Sequence, residues 1–162
     1  MTEHEELSRR LWLLREQLEQ LVCALDIQQL VLSNNRLRWL RIVSENVERL
    51  VNEIRSSEAE RVALSRSVAR SFGLADDATL LELAQATAEP NAAIWRRHRV
   101  HLISLHAEID SIASSNRELG SQWAAATNDA LVSLGGDAAD TYDPSGGPDP
   151  LTPASRRFDR TA

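Results

Sequence analysis

The chain contains no lysine: all 18 of its basic residues are arginine. That excludes Schiff-base catalysis and the phosphate-gripping lysine of a P-loop. One cysteine in 162 residues rules out an internal disulfide and fits a reducing compartment. Aromatic residues make up 4% of the chain and glycines number 6, which points away from turn-rich sheet architectures. No apolar run approaches the roughly 18 residues of a membrane span, and no basic start leads into an apolar core. Neither membrane insertion nor a signal peptide is therefore expected, and the chain is read as cytoplasmic. A net charge of −6 argues against a general nucleic-acid binder, although it leaves room for a local basic face.

What the chain has in abundance is leucine, alanine, arginine and glutamate, arranged at helical spacing. The organising stretch runs from Pro90 to Leu134. Every seventh position from Trp95 reads Trp95, Leu102, Ile109, Asn116, Trp123, Ala130. The interleaved set reads His98, Leu105, Ile112, Leu119, Ala126, Ser133. Together they form one stripe with the 3.5-residue period of a coiled-coil seam. Pro90 suits the first turn, and Gly135 with Gly136 suits the stop. A helix of that length spans roughly 68 Å at about 1.5 Å per residue, a rod that needs partners along its length.

Two more stripes precede it. Residues 1 to 33 carry Leu7, Leu11, Leu14, Leu18, Leu21 and Leu25 at alternating steps of 4 and 3; Gln28 breaks the seam and Leu32 resumes it. Cys23 lies beside this stripe and is expected to be a packed, inert thiol. Ser33, Asn34 and Asn35 favour caps and turns, which suggests an antiparallel hairpin, with one unbroken helix as the rival reading. Residues 36 to 71 form the second helix through Leu40, Val43, Val47, Leu50 and Ile54, then a weak patch at Ser57 and Arg61, then Leu64 and Val68. Gly73 is its stop. This helix carries 8 arginines against 5 glutamates, and the interleaving reads as a solvated face complementing the acidic first helix. Asp76 or Asp77 is expected to cap a short helix from about Ala78 to Thr87, too short to stand without docking on the others.

The expected fold is all-α: an elongated antiparallel bundle of three long helices plus one short helix, over residues 1–136. Residues 137–162 hold every proline but Pro90 and are expected to form a disordered C-terminal tail.

No catalytic constellation is evident, and the chain is not expected to be an enzyme or to hold a cofactor. His98 lies on the seam and His106 on another face, so three metal ligands do not converge. No serine sits in a nucleophile elbow.

Several segments in order resemble the FlgN family of flagellar export chaperones, in the form found in high-GC Gram-positive bacteria. They are Leu11-Trp12, Gln28-Gln29-Leu30-Val31-Leu32, Arg38-Trp39-Leu40, Gly73-Leu74, Thr79-Leu80 with Leu83-Ala84, and Asn116-Arg117-Glu118-Leu119. The last is Tyr142-Asp143-Pro144-Ser145-Gly146. Ser33-Asn34-Asn35 departs from the family, standing where a glycine-containing turn is common. The resemblance implies a cytoplasmic type III secretion chaperone without enzyme activity. Its clients would be the hook-associated proteins FlgK and FlgL, delivered to the export gate protein FlhA. It places Tyr142 where such chaperones meet the gate.

The segment after Asn116 fits client binding. Leu119, Trp123, Ala126, Ala130, Leu131 and Leu134 combine a tryptophan anchor with small residues that let another helix approach. The alternative for these residues is packing within the monomer or a homodimer. For the whole chain, the alternatives are a homodimeric coiled-coil adaptor and a regulator that binds nucleic acid through the second helix.

Overall fold

The computed structural model describes residues 2–139, with side chains through Val132. Four α-helices and one short 3₁₀ turn account for nearly all of them: α1 (Glu3–Ser33), the turn Leu37–Trp39, α2 (Leu40–Ser71), α3 (Leu80–Ala86) and α4 (Asn91–Ala139). The chain divides into two compact units, Met1–Leu119 and Gly120–Ala162.

In the first unit each helix boundary has a chemical cause. Thr2 opens α1 with a capping box: its hydroxyl accepts the Glu5 amide at 3.3 Å, and its own amide donates to the Glu5 carboxylate at 2.8 Å. Glu3, Glu5 and Glu6 place acids where the helix dipole favours them. At the far end Asn35 adopts φ 53°. The Arg36 amide then reaches Val31 O at 2.9 Å and the Asn35 amide reaches Leu32 O at 3.2 Å. This is a Schellman closure, with asparagine in the left-handed position that glycine usually fills. The hairpin reading holds, and the 3₁₀ turn delays α2 to Leu40. Gly73 ends α2 with the same motif, at φ 70°: its amide bonds Arg70 O at 3.0 Å, and the Leu74 amide bonds Ala69 O at 2.9 Å.

The cap of α3 differs from expectation. Thr79, not Asp76 or Asp77, is its N-cap, in a second capping box with Glu82. The reason is spacing: Thr79 has a glutamate three residues on, and neither aspartate does. Asp76 instead receives the Arg70 guanidinium at 2.5 and 2.7 Å.

Interhelical bonds set the directions. Glu3 meets Ser67, Arg10 meets Glu60 and Gln28 meets Ser44, so α1 and α2 are antiparallel. Ser8 accepts from Trp95 Nε1 at 2.9 Å, and Gln29 donates to Ser115 at 2.9 Å, so α4 runs parallel to α1. The leucine stripe of α1 is buried throughout. One core cluster joins Leu7, Leu11, Val68, Ala69, Leu83, Ala84 and the fully buried Trp95. This is how the short α3 gains a partner. A second cluster joins Leu21, Ala24, Leu25 and Leu50, with Ile109, Ile112 and Ala113 packed against it.

Two further expectations fail. Cys23 is exposed, not packed. It sits between the buried Leu21 and Ala24 in sequence, but on the opposite side of the helix from the leucine stripe. Gly135 and Gly136 do not stop α4, which continues to Ala139. A glycine inside a helix costs only about 1 kcal/mol, and helix-forming Ala138 and Ala139 follow. The tail expected over residues 137–162 thus starts inside α4, and its remainder from residue 140 lies outside the described residues.

Candidate functional site

A polar layer crosses the second core cluster. Asn116, on the α4 seam and buried, donates from Nδ2 to Leu25 O at 2.9 Å and to Gln28 Oε1 at 3.1 Å. Gln28 in turn donates to Ser44 Oγ at 3.0 Å, so one chain of bonds ties α4, α1 and α2 together. Gln28, which broke the leucine seam in sequence, is therefore a connector. Polar groups at seam positions trade apolar burial for a fixed register.

At the other end of the bundle His98 is 2% exposed beneath the edge of Trp12, with ring centroids 4.7 Å apart. Its Nδ1 has no hydrogen-bond partner. Burial, and then the Arg15 charge, hold its pKa below the ordinary imidazole value. Among the described residues no three potential ligands come together to hold a metal ion. His101 is half-buried, and His106 bonds Leu102 O through Nδ1 at 2.7 Å.

The client-binding residues read from sequence fall in two places. Leu119 is half-buried and closes the first unit. In the second unit Trp123 is half-buried, and Ala126 and Ala130 are exposed on its helix face at steps of 3 and 4. Leu131 follows beside them, 62% exposed, and Val132 is 65% exposed. Thr127 turns its hydroxyl back onto Trp123 O at 2.9 Å, which leaves little unsatisfied polarity on this face. The side chain of Leu134 and the whole of Tyr142 lie outside what the structure describes. From Gly120 to Val132 the sequence has one charged residue, Asp129. The arrangement is that of a helical apolar face open to another helix.

A second group of exposed apolar residues escaped the sequence reading. Ile27, Leu30, Leu37, Trp39 and Ile42 are all solvent-exposed around the α1–α2 turn. The signal was present, since Ile27 and Leu30 fall off the leucine stripe.

These features define a class: an all-α binding module that presents apolar helix surface, with no helix among the described residues long and apolar enough to cross a membrane. A family model described as "FlgN protein" matches residues 1–150, and the chain belongs to the FlgN family. FlgN proteins are flagellar export chaperones that bind hook-associated proteins. Comparison with curated proteins and with solved structures returned no match.

Proposed function

We propose that this chain is a cytoplasmic chaperone that captures FlgK- and FlgL-type hook-associated proteins on the C-terminal part of α4. It then presents them to the cytoplasmic domain of FlhA. The observation that carries this reading is the exposed apolar face of the second unit. Leu131 and Val132 are each more than 60% exposed, next to a stripe of small residues anchored by Trp123. Such a face is costly to leave in water and is suited to the apolar side of an amphipathic helix.

Leu119, Trp123, Ala126, Ala130, Leu131 and Leu134 form the proposed client site, and Tyr142 the proposed gate anchor. The family match runs through all of them. No chemistry is required of these side chains. Capture works by burial of apolar area, and release needs only a competing partner of higher affinity. The role is tested by mixing the full chain with the C-terminal segment of a FlgK-type protein and following the pair by size exclusion. A stoichiometric complex is expected, and separate elution at micromolar concentrations would contradict the proposal.

A further inference from the structure

The apolar surface at the α1–α2 turn has no role in that reading, and it differs chemically from the α4 face. Of the eleven large apolar residues exposed among the described residues, five fall between Ile27 and Ile42. Ile27 and Leu30 share a face of α1 at a step of 3. The Gln28–Ser44 bond puts Leu30 and Ile42 at the same level of the antiparallel pair, because each lies two residues nearer the turn. Leu37 and the 46%-exposed Trp39 sit on the 3₁₀ turn that joins the two helices.

The charge here is of one sign. From residue 27 to residue 44 there is no aspartate or glutamate, while Arg36, Arg38 and Arg41 are present, in a chain whose net charge is −6. Arg41 is taken by Glu45 at 2.6 Å. Arg38 lies over the Trp39 ring at 5.1 Å. Among the described residues, neither Arg36 nor Arg38 has a carboxylate partner. The tip is also held in shape: the Asn35 turn closes it, and the Gln28–Ser44–Asn116 layer lies just beneath. A surface already in its bound form loses little freedom on binding.

We propose that the tip of the α1–α2 hairpin is a second docking surface, and that its occupant is an acidic amphipathic helix of a partner protein. Such a helix offers leucine-type side chains at steps of 3 and 4 to Leu30, Leu37, Trp39 and Ile42. It offers carboxylates to Arg36 and Arg38, whose planar guanidinium groups match carboxylate geometry. A second copy of the chain fits worse, because a two-fold contact through this patch sets arginine against arginine. A nucleic-acid backbone satisfies the arginines but gives the five apolar side chains nothing to bury against. An anionic membrane would also meet the remainder of an acidic chain.

The test uses the full chain and a labelled synthetic 18-residue helical peptide with leucines on one face and glutamates flanking them. The same peptide with every glutamate replaced by glutamine is the comparison, and fluorescence anisotropy is the readout. Saturable binding of the acidic peptide is expected, at least tenfold tighter than the glutamine peptide and weakening as salt rises. Trp39→Ser and the pair Arg36→Glu with Arg38→Glu should each lower that affinity tenfold or more while helical content holds. These side chains are exposed, so folding is not at stake. Ala126→Glu with Ala130→Glu should leave the tenfold preference for the acidic over the glutamine peptide in place, which separates this surface from the proposed client site. Any of four results overturns the proposal: no saturable binding, equal affinity for the two peptides, indifference to the tip variants, or loss of that preference in the Ala126/Ala130 variant. Capture by phosphatidylglycerol–phosphatidylcholine vesicles without peptide binding would likewise overturn it, in favour of a lipid surface.

Discussion

Asn116 on α4 donates its side-chain amide to the main-chain carbonyl of Leu25 on α1, 2.9 Å away and 91 residues earlier in the chain. A side chain at a seam position thus reads the backbone of the parallel helix. It also meets Gln28 Oε1, while its own Oδ1 is buried without a partner. Asn116→Ala removes the donor and leaves Gln28 Oε1 unpaired, so a loss of about 1–2 kcal/mol is expected. Asn116→Leu should cost less, because it adds apolar area beside Ile109, Ile112 and Ala113 in the second core cluster. Urea midpoints of the two variants, taken with an unchanged slope, check the order.

Asn35 offers a cleaner backbone test. Its φ of 53° is the left-handed region, which a branched side chain resists at about 1–2 kcal/mol. Asn35→Gly should hold or raise stability, and Asn35→Val should lower it by about that amount. Equal melting temperatures for the two variants would mean that the Schellman closure contributes nothing.

His98 gives the bundle a pH dependence of known sign. Its folded pKa lies below the 6.5 of a free imidazole, chiefly through burial. Between those two values the unfolded chain binds more protons than the folded one. Stability is therefore full above about pH 6.5, falls as the pH drops through that window, and stops falling below the folded pKa. Urea unfolding at pH 7.5 and 5.5 should show wild type losing more stability than His98→Gln. An identical loss in both would assign the pH response to other groups.

The three long helices were legible because mostly apolar residues recur at steps of 3 and 4, and burial follows the leucine stripe on α1 without exception. The α3 cap was legible in principle, since Thr79 has Glu82 three residues on, but nearby Asp76 and Asp77 compete for the same role on residue type alone. Cys23 was misplaced because adjacency in sequence to the buried Ala24 says little when neighbours on a helix point about 100° apart. The polar layer could be suspected from Gln28 and Asn116 separately. Pairing them requires knowing that α4 runs parallel to α1, which no local pattern states. The tip residues were hidden for a related reason: they lie on α1, the turn and α2, and only the closed hairpin brings them to one end of the α1–α2 pair.

Tyr142 carries the proposed gate contact, with Pro144 and Gly146 suited to a turn that presents the ring. Tyr142→Ala should leave client binding and melting temperature nearly unchanged while weakening recovery of the chaperone–client complex on the FlhA cytoplasmic domain. Equal recovery of wild type and variant in a side-by-side pull-down would remove the anchor role. A lowered melting temperature would assign the ring to the end of the bundle instead.

The most direct test of the central claim is isothermal titration of the full chain with the C-terminal segment of a FlgK-type client, comparing wild type with Ala126→Glu/Ala130→Glu and with Trp123→Ala. Ala126 and Ala130 are exposed, so glutamate there leaves the free chain folded but faces an apolar client helix as an unpaired charge. Loss of a tryptophan anchor typically costs about 2 kcal/mol or more, which corresponds to well over tenfold in affinity. The expected result is at least a tenfold loss in both variants with helical content unchanged by circular dichroism. Wild-type affinity in folded variants would contradict the account and place client capture elsewhere on the chain.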